Sequence, residues 1–390
     1  MPDRTAIVTY KGRPAGRLSE LGVDTRFVYD AGWEDTIACA LPVTTRDHYW
    51  RNGLIPFFEH LGPEGWLRGR QARAGGTANQ DDLGLLLNYG ADCIGAVGIR
   101  PLEDHASTPH PDGNLVDEAA AAPGRTLSGV QKKLLAFQSD GEFRPCLQPT
   151  DPATHIAKFN RDDLRTLVQN EDISLKLARE VLGSAEVTNA QIGVLPGIDG
   201  IALLVERFDR LNEERLRLED FAQILQIPRG REFDGKYNSS YEDAAGAIKH
   251  FSSRSKIDLD RYFRLLIFNF VIGNADAHLK NFSLLERPEG LRLSPAYDLL
   301  NTLVYPNYDR QTALSIGGQK RSFDSLTRPL IEMLGNDIGL PRAAIARSLE
   351  QLGQRFAKVS VPRIPEQAGP DDIRVRYREI MDQQARKILA

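Results

Sequence analysis

Residues 259–298 constrain this 390-residue chain more than any other stretch: LDRYFRLLIFNFVIGNADAHLKNFSLLERPEGLRLSPAYD. Residues 259–272 are apolar almost all round, which predicts a helix buried deep in a domain and not one lying on its surface. Gly273 ends it, since glycine accepts the left-handed turn that closes a helix, and residues 274–281 follow as a loop on a rigid edge. Into that loop are packed Asp276, His278, Lys280 and Asn281. Residues 282–286 and 291–294 read as two short strands joined by the turn Arg287-Pro288-Glu289-Gly290, and Asp298 comes directly after.

The order Asp276-x-x-x-x-Asn281, hairpin, Asp298 is the layout that phosphoryl transfer requires. Kinase catalytic loops use the same spacing for an Asp that accepts the substrate hydroxyl proton and an Asn that binds magnesium, and a later Asp bridges magnesium to the phosphates. An Asp and an Asn that merely cap a turn would give the same spacing. The buried helix before, the hairpin between and the second Asp after favour the chemical reading.

A chain of this length predicts two domains or more. With 26% charged residues and a net charge of −4, it has no global polyanion-binding character, although local basic patches stay open. No apolar run approaches the ~20 residues of a membrane span and the polar start lacks a signal-peptide core, so a cytoplasmic location is expected. Cys39, Cys93 and Cys146 are well separated and predict free, buried thiols, and the histidines show no metal-ligand spacing.

Upstream, residues 4–10 and 25–29 have strand character, residues 55–61 and 81–89 helical character, and residues 93–99 read as a closing strand. This N-terminal unit, residues 1–102, reads as a scaffold. Residues 103–124, rich in Pro, Gly, Ala and acids, predict a linker with little to bury. Then comes Arg125-Thr126-Leu127-Ser128-Gly129-Val130-Gln131-Lys132-Lys133, where a small-residue turn flanked by lysines suits backbone N–H groups cradling phosphates, with Lys158 on a later strand as a point charge. A plain hairpin turn is the competing interpretation. Residues 170–182 form an amphipathic helix with Asn170 as N-cap, and Glu171 on it is a candidate partner for Lys158, as a helix glutamate pairs with the strand lysine in kinases. Residues 201–208 read as a buried strand running into a connection where main-chain groups of Glu206, Arg207 and Phe208 would meet a nucleobase. From residue 218 onward the pattern is mostly helical. The arrangement is α+β: a two-lobed protein-kinase-like fold with residues 125–210 as the ATP-binding part of a β-rich N-terminal lobe, an added N-terminal subdomain, and residues 211–390 as an all-α catalytic lobe.

These residues resemble the HipA family, the serine/threonine-protein kinase toxins of type II toxin–antitoxin modules. The resemblance lies in residues 127–133, Thr154-His155-Ile156-Ala157-Lys158, Val205-Glu206-Arg207-Phe208-Asp209-Arg210, residues 273–283 and Tyr297-Asp298. It implies Asp276 as catalytic aspartate, Asn281 and Asp298 as magnesium ligands, and Lys158 as the phosphate-contacting lysine. It also implies Ser128, Gly129, Val130, Gln131, Lys132 and Lys133 as a phosphate loop, Glu206 to Phe208 as the adenine connection, and His278, Leu279, Lys280 and Asn281 as further nucleotide contacts. The cofactors would be ATP and Mg2+, the partner a HipB-like helix-turn-helix antitoxin dimer on operator DNA, and the substrate a host protein such as an aminoacyl-tRNA synthetase. Autophosphorylation at Ser128 or Thr126 would switch the enzyme off. A small-molecule kinase and a non-catalytic co-repressor subunit are the alternatives, and arginines among residues 372–390 leave either DNA contact or a solvated helix face open.

Overall fold

The computed structural model describes residues 4–102, 114–212, 214–364 and 373–390. The chain falls into two compact units, one of residues 1–159 and 193–235, the other of residues 160–192 and 236–390.

In the first unit, β1 (Thr5–Tyr10), β2 (Arg13–Leu21), β3 (Asp24–Tyr29), β4 (Asp47–Trp50) and β5 (Val97–Pro101) form an antiparallel sheet in the order β4-β3-β2-β1-β5. Alternate positions of β1 and β3, Ala6, Val8 and Phe27 among them, enter one core with Phe58 and Ile99, as a sheet with one buried face requires. The helices between β4 and β5 are α1 (Pro56–Glu59), α2 (Gly65–Ala74) and α3 (Asp82–Tyr89), the last capped by the Asp81 side chain on the Gly84 N–H. The helical spacing at residues 55–61 yields only the single turn α1, because Gly62-Pro63 follows. The closing strand, expected at residues 93–99, begins at Val97, since residues 92–95 are drawn into a polar network instead.

That network is centred on Asp209. Its carboxylate accepts the Gly95 N–H at 2.7 Å, Nε and Nη2 of Arg207 at 3.0 and 2.9 Å, and Nη1 of Arg210 at 2.7 Å. Arg210 also reaches Asp92 at 2.7 Å, and Arg215 donates to the Val97 carbonyl at 2.8 Å. Buried charges of this kind persist only when every partner is in place, so the VERFDR motif fastens residues 92–97 to the chain after residue 206.

The remaining part of the first unit holds a second sheet of β6 (Lys133–Ser139), β7 (Glu142–Pro145), β8 (His155–Phe159), β9 (Ala190–Leu195) and β10 (Ile198–Glu206), in the order β7-β6-β8-β10-β9. The linker expectation for residues 103–124 needs correction where it can be seen. Residues 103–113 lie outside the described residues, but α4 (Leu115–Ala120), capped by Asn114, buries Ala119 and Ala120 in the same core as Leu127, Leu134 and Ala157. The helical region expected from residue 218 is likewise different. The short pairs β11 (Arg210–Leu211) and β12 (Glu214–Arg215), then β13 (Leu218–Asp220) and the one-turn α6 (Phe221–Ile224), belong to the first unit. An Asp220/Gln223 capping box starts α6, and Gln226 at φ 51° with Pro228 beyond it prevents extension.

The second unit is largely helical. Its centre is α8 (Ser255–Ile272), against which pack α5 (Leu167–Val181), α7 (Tyr241–Phe251), α10 (Arg342–Phe356) and α11 (Ile373–Ile388), with α9 (Arg328–Asp337) on α10 and α11. From Leu265 to Ile272 every residue of α8 is buried, the all-round burial that its composition predicts. Helix α5 begins three residues before the expected Asn170 cap. Asn170 sits inside the helix, where its side chain donates to the Asn301 carbonyl and accepts the Asn301 N–H, both at 2.9 Å. This bond and the apolar face of Ile173, Leu177 and Val181 place α5 with the helical unit, so the division at residues 210/211 does not describe the packing. On α11, Arg374 and Arg378 bond to the Val361 and Val359 carbonyls and Lys387 to Asp324, while Arg376 and Arg386 are exposed. The chain is α+β, with a β-rich and a helical unit. Among the described residues no helix is long and apolar enough to cross a membrane.

Candidate active site

In the helical unit, α8 ends on Gly273 with φ 81° and ψ 39°, the left-handed stop that its sequence predicts. The loop beyond is pinned to the end of that helix. Asn274 donates from its backbone to the Asn269 carbonyl at 2.9 Å and from its side chain to Asn269 Oδ1 at 2.7 Å, and its own Oδ1 accepts the Asp276 N–H at 3.1 Å. Thr302 holds the same loop by accepting the Ala275 N–H at 2.8 Å, and Tyr241 donates to the Ala277 carbonyl at 3.1 Å. Asp276 is thus presented on a backbone that has little freedom to move.

Asn281 closes the loop: its Oδ1 accepts the His278 N–H, and its own N–H donates to the His278 carbonyl, each at 3.0 Å. Leu279 is fully buried and serves the core, whereas Lys280 is half-buried. The hairpin β14 (Ser283–Arg287) and β15 (Gly290–Leu293) follows with Glu286 opposite Leu291, as the expected strands imply, but pairing runs on to Arg287 opposite Gly290, so the turn is Pro288-Glu289 and not the four residues expected. A parallel bridge between Val187 and Ala296 then holds the chain just before Asp298. Asp298 has φ 53°, a conformation that costs a non-glycine residue free energy and persists where the surroundings impose it, as at functional sites.

The immediate partners of Asp276 include two tyrosines. Tyr237 donates its phenol to Asp276 Oδ1 at 2.7 Å, and Tyr308 forms a second side-chain bond to the carboxylate. Burial pushes the Asp276 carboxyl above its usual range and the charge of Asp298 adds to that, while Tyr237, Lys236 and Tyr308 pull the other way. The charge of Asp298 is thus among those felt at Asp276. Sequence reasoning missed Tyr237, Lys236 and Tyr308; no local spacing links them to the loop.

In the first unit, the expected phosphate loop lies along the start of α2. Ser128 donates to Glu64 Oε1 at 3.0 Å, Thr126 donates to Gln71 Oε1 at 2.9 Å, and the Gln71 amide donates to the Arg125 carbonyl at 2.7 Å. Lys132 places its ammonium 5.6 Å from the Trp66 ring and 5.0 Å from the Phe159 ring. Gly129 has φ 111°, and a Cβ there would lie 2.3 Å from the Lys133 ammonium, which donates to the Ser128 carbonyl at 2.8 Å. Gln131 donates to the Phe159 carbonyl at 2.8 Å, while Val130 is exposed. Neither Glu64 nor Gln71 was recognisable in advance, being 64 and 55 residues away from the hydroxyls they hold.

Lys133 on β6 stands directly opposite Lys158 on β8, so two largely buried lysines share one face of the sheet. Such a face concentrates positive potential and suits phosphate. Lys158 lies in the first unit and Glu171 in the second. At the expected adenine connection Glu206 is exposed, but the Arg207 N–H already donates to the Thr154 carbonyl at 2.9 Å, and its side chain belongs to the Asp209 network. Arg207 is a structural residue in all but its carbonyl.

Sequence profiles agree with both parts of the chain. Residues 125–360 match the HipA-like C-terminal domain and residues 6–100 the HipA N-terminal domain. The chain belongs to the HipA family. Among curated relatives, a putative kinase of Sinorhizobium fredii, Y4mE, is 30% identical over 81% of this chain and 82% of its own length. The serine/threonine-protein kinase toxin HipA of Shewanella oneidensis is 29% identical over 60% of this chain and 56% of its own. In fold the chain matches one in the Shewanella oneidensis complex of HipA, HipB and operator DNA, with a TM-score of 0.73 at 21% identity, covering 98% of this chain and 97% of that one. HipA-family architecture thus accounts for both the β-rich and the helical unit, including the sheet of β1 to β5 that a bare kinase reading leaves unexplained.

Proposed function

We propose that this chain is a serine/threonine-protein kinase that acts as the toxin of a type II toxin–antitoxin module. The observation that carries the reading is the pinned loop with Asp276, Asn281 and Asp298 in the order and setting phosphoryl transfer requires. Asp276 would accept the proton of the acceptor serine or threonine hydroxyl. Lys158 and Lys133 would neutralise phosphate charge, and the loop of Ser128 to Lys133 would cover the phosphates.

Asn281 and Asp298 fit a magnesium ion. The Asn281 amide oxygen accepts one N–H and keeps a second lone pair, and one amide oxygen with one carboxylate is the sparse protein ligation that Mg2+ combines with water and phosphate oxygens. When bound, the ion would screen the negative charge of ATP. Main-chain groups of Glu206 to Phe208 remain the proposed adenine contact, apart from the Arg207 N–H. Tyr237 bonds to Asp276 and meets the ring of His278, and His278 and Lys280 of the same loop remain proposed nucleotide contacts.

The likeness to a HipA chain in complex with HipB and operator DNA supports a HipB-like antitoxin dimer as partner, with operator DNA reached mainly through it. A cytoplasmic host protein, such as an aminoacyl-tRNA synthetase, is the proposed substrate. Ser128 is the proposed self-inactivating site: it is half-buried at the surface of the loop, whereas Thr126 is 2% exposed and bonded to Gln71. The test is transfer of labelled γ-phosphate from ATP and magnesium into a host lysate, beside Asp276→Asn. Labelled protein bands with the wild type alone are expected; equal labelling by both would overturn the reading.

A further inference from the structure

Asp276 differs from an isolated carboxylate in its two phenolic partners, and of these Tyr237 is the more firmly placed. Its hydroxyl lies 2.7 Å from Oδ1. Its ring meets the His278 ring edge-on at 5.1 Å and 76°, and carries the ammonium groups of Lys236 and Lys320 at 5.3 and 5.4 Å. Contacts from residues 236, 278 and 320 thus fix one ring whose hydroxyl points at one carboxylate oxygen. A core tyrosine needs only some acceptor; this one is steered to the proposed base.

We infer that Tyr237 is a positioning residue for phosphoryl transfer, holding the Asp276 carboxylate in the orientation that receives the acceptor hydroxyl. The inference deepens, and rests on, the reading of Asp276 as the base.

The charged and titratable groups around Asp276 make the consequence specific. Burial and the charge of Asp298 favour its protonated form, which accepts no proton, while Tyr237, Lys236 and Tyr308 favour the ionised form. Burial raises the Tyr308 phenol well above its usual range, and the charge of Asp276 raises it further, against Arg161, so Tyr308 stays a donor. A carboxylate offers about four lone-pair positions, so two phenols leave room for the acceptor hydroxyl. Removing one donor to the ionised form should move the protonation of Asp276 to higher pH by about one pH unit.

The experiment compares wild type, Tyr237→Phe, Tyr308→Phe and Asp276→Asn, with ATP and magnesium, for phosphate incorporated into dephosphorylated casein and into the chain itself. Tyr237→Phe retains the ring and its contacts. Its kcat should fall about tenfold with KM for ATP unchanged, and the acid limb of its rate profile should move up by about one pH unit. Installing 3-fluorotyrosine at position 237, a stronger donor of nearly the same shape, should shift that limb downward, which a purely structural role would not do. If Asp276→Asn is inactive while Tyr237→Phe keeps the wild-type kcat and acid limb, the inference falls and the kinase reading stands. An active Asp276→Asn, or a wild type that transfers no phosphate, overturns the kinase reading itself.

Discussion

Replacing Asp209 with Ala should break the first unit where residues 92–97 meet the chain after β10. The carboxylate is 2% exposed and accepts four hydrogen bonds, from Gly95, twice from Arg207 and from Arg210, at 2.7 to 3.0 Å. The Arg207 side chain is itself buried, so the variant would leave a guanidinium without its counter-ion in the interior. Removing one partner of a buried pair costs about 3–5 kcal/mol, far more than the pair contributes relative to an apolar replacement. At roughly 2–4 °C per kcal/mol for a unit of this size, its unfolding midpoint should drop by about 10 °C. The pH dependence follows from the same contacts. Burial opposes ionisation, yet the charges and hydrogen bonds of Arg207 and Arg210 prevail and hold the carboxyl well below the usual range. With a folded-state pKa depressed below the unfolded value of about 3.9, the stabilisation is complete above pH 5 and is lost only as pH falls through the folded-state pKa. The difference between wild type and Asp209→Ala should therefore be constant from pH 5 to 8 and shrink below about pH 4. Urea unfolding followed at about pH 7 and about pH 3 measures it. A difference under about 1 kcal/mol at pH 7 would show that Asp209 does not compensate these arginines.

Three other perturbations report on the proposed site. Lys158→Met deletes one of two cations that face each other across β6 and β8, and should reduce labelled-phosphate transfer by orders of magnitude with the fold retained by circular dichroism. After incubation with ATP and magnesium, peptide mass spectrometry should find phosphate on Ser128 and none on Thr126, and Ser128→Asp should weaken ATP binding in calorimetry, since a charge there faces Glu64. Gly273→Ala puts a side chain at φ 81°, with its Cβ 2.9 Å from Ile380 and 3.0 Å from Asn301, and should cost about 2 kcal/mol in urea unfolding while lowering kcat through the displaced loop.

The features legible in the sequence are those that neighbouring residues decide among themselves. Helix α8 announces itself by all-round apolarity, Gly273 by the need for a left-handed stop, and the loop from Asn274 to Asn281 by caps that close within eight residues. The hairpin of β14 and β15 keeps the pairing of Glu286 with Leu291 that its sequence implies, and only its turn is tighter, because Arg287 and Gly290 pair as well. The sequence alone therefore determined Asp276, Asn281 and Asp298 as a candidate set, and the α+β class. Tertiary structure decided what surrounds them. Tyr237 bonds to Asp276 across 39 residues and Glu64 to Ser128 across 64, and no periodicity encodes such a pairing. The same applies to α5, which its place in the chain assigned to the β-rich lobe of residues 125–210 until Asn170 is seen bonded to the backbone of Asn301. Local propensity and patterning depend on residues a few positions apart, so a sequence displays them. Burial, and the charges and phenols that set the behaviour of Asp276, depend on which distant segments converge, and only the folded chain brings those together.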